Sequence, residues 1–144
     1  MNIKTVSTKV LRAVGMLLTI LGVVHLAATK HMPSLLNGSP PAVYEQAVGP
    51  TLLNHVLVGI LLLPLGYTTW LAAEACGRSE AWAKRVLVAN TLAVFALPVC
   101  VAIFMHRAEF YTSPLFLTGV GLATMTALMM GAATVSVLRE PGAR

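Results

Sequence analysis

Four stretches of the chain, 10–29, 51–73, 86–106 and 114–138, are almost free of charge, and the segments between them are polar or broken by proline. A hydrocarbon core roughly 30 Å thick is crossed by about 20 helical residues rising about 1.5 Å each, so the pattern predicts four membrane-spanning helices. The connection 30–50 carries Pro33, Pro40, Pro41 and Pro50, and Asn37-Gly38 reads as a turn. Within it, SLLN and AVYEQAV are each expected as a short helix lying on the membrane surface. The loop 74–85 is short and charged. The loop 107–113 is a tight turn whose Phe110 and Tyr111 suit the interfacial aromatic belt. Pro64 and Pro98 fall inside spans and predict kinks, because proline removes a helical hydrogen bond and crowds the preceding turn.

Lipid gives no drive to bury leucine, so small and polar residues mark the faces that helices turn to one another. In the first span Arg12, Gly15, Thr19, Gly22, His25 and Thr29 collect within roughly 140° at the helical step. In the second, His55, Gly59, Leu62, Gly66 and Thr69 recur at intervals of four, three, four and three, the seam of a helix pair. Asn90, Ala93, Leu97 and Cys100 are the expected inner face of the third. Gly119, Ala123, Ala127 and Gly131 form a small-residue ridge on the fourth, suited to packing inside the bundle, against a second copy, or against a partner helix. The expected fold is an all-α membrane protein, a single domain over 1–144, folded as an antiparallel four-helix transmembrane bundle.

Composition agrees: 57% of the 144 residues are hydrophobic and 10% charged, with mean hydropathy +0.80, where a soluble domain carries about a quarter charged residues. The formal charge of +5 reports topology. The two termini and the loop 74–85 hold Lys4, Lys9, Arg12, Arg78, Lys84, Arg85, Arg139 and Arg144, while the other two loops hold only Lys30 and Arg107. That bias places both termini in the cytoplasm, in the manner of a bacterial inner-membrane protein partnered by its lipid bilayer. Basic residues split over three segments, with no interleaved aromatics, are not a nucleic-acid surface. The start of the chain also has the look of a secretory signal peptide ending near Ala28, but the patterned polar face favours a retained span. Cys76 and Cys100 lie roughly 20 Å apart along the fold, beyond disulfide reach.

All four histidines fall in the outer third of this topology. His25 and His55 sit one turn below the outer ends of neighbouring spans, at matching depth on the two seam faces. His31 lies in the exported loop above, and His106 closes the third span at the same membrane face. Imidazoles converging from separate helices suit a transition metal, for which His25, His55, His31 and His106 are the candidates, or a haem held by His25 and His55. A quinone would need only a histidine and a partner such as Asn54. Met32, Glu45 and Glu109 are neighbours in this reading. No HxxxH, HExxH or CxxC spacing is present.

The chain has no aspartate, and Glu45, Glu74, Glu80, Glu109 and Glu140 lie in loops or at span ends, so no catalytic residue is assigned and enzyme chemistry is not the expectation. Two readings remain. One is a redox or ligand-binding membrane component with a histidine site near the exported face. The other is a non-catalytic accessory subunit docking partner helices through the ridge Gly119–Gly131. The length and four-span layout resemble those of the DoxX-like group of small bacterial membrane proteins, a likeness of layout from which no residue role is carried over.

Overall fold

A computed structural model describes residues 3–105 and 114–139. Helix α1 (Ile3–Ala28) passes through a single 3-10 turn (Thr29–His31) into the short α2 (Met32–Leu36); α3 (Pro41–Gly77), α4 (Ala81–Phe104) and α5 (Pro114–Arg139) follow. Four of these helical stretches are long and apolar enough to cross a membrane. Large apolar side chains stand exposed along them, among them Leu61, Leu92 (68%) and Phe104 (75%). Water would not tolerate so much exposed apolar surface, and lipid requires it. The chain is therefore a multi-pass integral membrane protein.

The connection 30–50 differs from expectation. SLLN contributes to α2 as a short helix, but AVYEQAV is no separate surface helix: it is the first part of α3, which runs 37 residues. At about 1.5 Å per residue that is about 55 Å, far longer than a hydrocarbon core. Pro41 occupies the first position of the helix, where its missing N–H costs nothing. The N–H groups of Val43 and Tyr44 both reach the Pro40 carbonyl and start the first turn. Pro50 and Pro64 are carried inside the helix. His106, Arg107, Glu109 and the turn 107–113 lie outside the described residues, as do Glu140 and Arg144.

The chain divides into two compact units, Gly15–Tyr67 and the remainder, with boundaries inside α1 and α3; each is described by itself. In the first, α1 and α3 run antiparallel in close backbone contact. A Cβ added at Gly22 would lie 3.0 Å from the Gly59 carbonyl oxygen, and one at Gly66 would lie 2.6 Å from both the Gly15 carbonyl oxygen and the Thr19 backbone nitrogen. Only glycine permits that approach.

In the second unit α4 and α5 pack antiparallel, with Thr91 hydrogen-bonded to Thr134 at 2.9 Å and Phe95 lying over Gly131. Asn90 donates through Nδ2 to the hydroxyls of Thr68 and Thr69 on α3, both at 2.9 Å. Arg12 of α1 pairs with Glu74 at 3.0 Å and lies 5.6 Å from the centre of the Trp70 ring. The buried face of α4 is Ala83, Leu87 and Val94. Ala93 and Cys100 are exposed, so the inner face is rotated roughly 90° from the one expected on Asn90, Ala93, Leu97 and Cys100.

The turn joining α3 to α4 is a helix terminator built on a non-glycine residue. Ser79 adopts φ 63°, its N–H bonds the Cys76 carbonyl, and the Glu80 N–H bonds the Ala75 carbonyl, both at 3.0 Å. Glu80 accepts from Arg78 Nε and Trp82 Nε1, each at 2.6 Å. Those hydrogen bonds, Arg78's first, hold its carboxyl below the usual carboxylate range. A left-handed backbone disfavours a side chain, so Ser79→Gly is expected to stabilise the protein by about 0.5–1 kcal/mol. Thermal unfolding in detergent checks this; a lowered midpoint would show that the turn tolerates serine without strain.

Candidate functional site

The glycine contacts that bring α1 against α3 also set the distance between the side chains at their ends. Gly22 and Gly59 face each other, and one turn further along each helix stand His25 and His55. Their rings stack face to face, with centroids 3.8 Å apart and planes inclined by 12°. Both side chains are half-buried. The spacing His25-x3-Thr29 puts the threonine one turn beyond His25 on the same helix face. Its Oγ1 lies 3.0 Å from the His25 carbonyl oxygen and 2.9 Å from His55 Nδ1. Thr29 is placed on the seam face by its phase, four residues after His25, and its part in the site comes from its contact with the His55 ring.

The other candidates do not join this cluster. His31 is exposed in the 3-10 turn, where its carbonyl accepts from the Ser34 hydroxyl at 2.6 Å. Asn54 is exposed on α3 about 100° around the helix from His55. Glu45 lines a shallow pocket of about 270 Å³ with Asn37, Ser39, Pro41 and Tyr44, apart from the rings. His106 lies outside the described residues.

The stack limits what the pair can hold. A nitrogen lone pair lies in its ring plane, and a transition metal takes its nitrogens at about 2.0–2.1 Å. Two planes inclined by 12° and stacked at 3.8 Å do not meet within that distance. Haem would need the two nitrogens opposed across the iron, which face-to-face rings do not provide. A metal or a haem thus requires a ring arrangement other than the one present. Among the described residues no group of three or more His, Cys, Asp or Glu side chains is placed to hold a metal ion. What the stacked pair does offer is hydrogen bonding through its ring nitrogens at the edge of an apolar helix pair. That is chemistry for an uncharged, lipid-soluble ligand.

The ridge on α5 does not form one surface. Ala127 is 1% exposed and Gly131 is covered by Phe95, whereas around Gly119 an added Cβ would meet nothing within 4 Å. Positions four apart drift by about 40° per step, so over three steps the row turns through roughly 120°. Its two ends therefore face different surroundings.

No protein-family model, curated protein or solved structure matches this chain. The likeness of layout to the DoxX-like group accordingly carries no family membership, and a functional reading rests on the residues themselves.

Proposed function

We propose that the protein is a ligand-binding component of a bacterial cytoplasmic membrane, built as an antiparallel four-helix bundle with both termini cytoplasmic. Its site is the His25–His55 pair near the exported face, and its ligand is a lipid-soluble hydrogen-bonding molecule of the quinone/quinol class. The observation that carries this reading is the stacked pair braced by Thr29. Polar groups at this depth are costly and concentrate where function needs them. The eight basic residues of the termini and the loop 74–85, against two elsewhere, support the orientation. The accessory-subunit reading is weaker, because Ala127 and Gly131 are already covered within the chain.

Titration of the purified protein in lipid nanodiscs with decylubiquinol and decylubiquinone tests the proposal. Saturable binding is expected, weakened about tenfold or more in His25→Leu and His55→Leu, with helicity by circular dichroism unchanged in both. Tenfold corresponds to about 1.4 kcal/mol, within the range of one lost hydrogen bond. No saturable binding of either compound would overturn it. So would a Soret band or stoichiometric bound metal in the purified protein.

A further inference from the structure

Thr29 touches both histidines through a single oxygen, and its hydrogen count determines where a proton sits on His55. A threonine hydroxyl has one hydrogen to donate and two lone pairs to accept with. Its Oγ1 is within hydrogen-bond distance of the His25 carbonyl oxygen, 3.0 Å, and of His55 Nδ1, 2.9 Å. A carbonyl oxygen only accepts, so the hydroxyl hydrogen is spent on that contact. This is the i−4 back-bond that Thr19, Thr124 and Thr126 also make to their own helices. The second contact is then a hydrogen bond only if His55 Nδ1 carries hydrogen and donates it to Oγ1.

We infer that Thr29 is a positioning residue that holds His55 as the Nδ1–H tautomer, leaving Nε2 as an acceptor and so selecting ligands that donate a hydroxyl hydrogen. This rests on the ligand reading above and sharpens it. A hydroquinone presents two O–H donors to such a nitrogen, whereas the oxidised quinone presents carbonyl oxygens that only accept. The site therefore takes the reduced form in preference to the oxidised one. The stacked His25 ring carries an N–H of its own, but the oxygens of either form can accept it, so the discrimination lies at His55 Nε2.

Nitrogen-15 NMR of histidine-labelled protein in nanodiscs, above the pH at which histidines titrate, reads the tautomer without any ligand. His55 is expected to carry its hydrogen on Nδ1 in the wild type and in Thr29→Ser, and to shift toward the Nε2–H form in Thr29→Val. In parallel titrations decylubiquinol is expected to bind about tenfold more tightly than decylubiquinone, the discrimination one hydrogen bond supplies. Thr29→Val should remove most of that preference and Thr29→Ser should keep it. A wild-type His55 carrying hydrogen on Nε2 overturns the inference, as does equal affinity for the two forms or a preference unchanged in Thr29→Val. Absence of binding by both compounds with the Nδ1–H tautomer intact removes the ligand reading and the selectivity with it, while the placement of the proton by Thr29 stands.

Discussion

Gly66→Ala is expected to destabilise the protein by about 2 kcal/mol and to weaken the histidine pair although it touches neither ring. An added Cβ would fall 2.6 Å from two backbone atoms of α1, the Gly15 carbonyl oxygen and the Thr19 nitrogen. Backbone does not swing aside as a side chain does, so the helices must separate. Overpacking of this kind costs about 1–3 kcal/mol, and alanine's better helix propensity recovers about 1 at most. Separation also loosens the contacts of Gly22 and Gly59, which lie between Gly66 and the stacked rings. Gly131→Ala is the instructive contrast. There the added Cβ meets only the edge of the Phe95 ring, at 2.7 Å, and that ring can turn. Gly119→Ala, with nothing within 4 Å, is the control and should be neutral to within about 0.5 kcal/mol. Thermal unfolding of the three variants in one detergent settles the ranking. A Gly66→Ala protein as stable as Gly119→Ala would mean that the glycine contact does not hold the pair together.

Asn90→Leu carries the second large expected effect. The asparagine ties α4 to two consecutive threonines of α3, and one of them, Thr69, is fully buried. Interhelical hydrogen bonds in membranes average about 0.6 kcal/mol and reach about 1.7, so losing two costs about 1–2 kcal/mol. The loss is held to that range for a structural reason visible elsewhere in the chain. Thr19, Thr124 and Thr126 all turn their hydroxyls back to the carbonyl four residues earlier, and a helical threonine that loses its Asn90 contact has that same acceptor within reach. A double-mutant cycle of Asn90→Leu with Thr69→Val measures the coupling directly. Additive effects would show that the two side chains contribute independently rather than through the bond between them.

The helices and the α1–α3 seam were legible because glycine, threonine and histidine stand out against a leucine-rich background. The intervals of four and three from His55 to Thr69 single out one face, and Gly59, Leu62, Gly66 and Thr69 are buried on it. On α4 the phase was counted from Asn90 alone, leaving out its neighbour Thr91, and one marker fixes a phase poorly. It sits at the edge of the buried face, so counting to Ala93, Leu97 and Cys100 walked away from Ala83, Leu87 and Val94 instead of along them. The long start of α3 was hidden by its prolines, which interrupt a pattern more readily than they interrupt a helix already begun. Of the site, the nearness of two histidines followed from helix phase. The stacking of their rings and the role of Thr29 did not, since both depend on rotamers that spacing does not encode.

The glycine-to-backbone contacts also say how a distant relative would be recognised. Lipid-facing positions accept almost any apolar residue, so overall similarity fades quickly among proteins of this kind. The seam has no such freedom. G-x3-T-x2-G-x2-H-x3-T, running from Gly15 on α1 to Thr29 in the 3-10 turn that follows it, and H-x3-G-x6-G on α3, from His55 to Gly66, make a two-part fingerprint whose spacings are fixed by atoms in contact. A search weighted on those positions, and blind to the rest of the membrane surface, follows the part of the sequence that physics holds still.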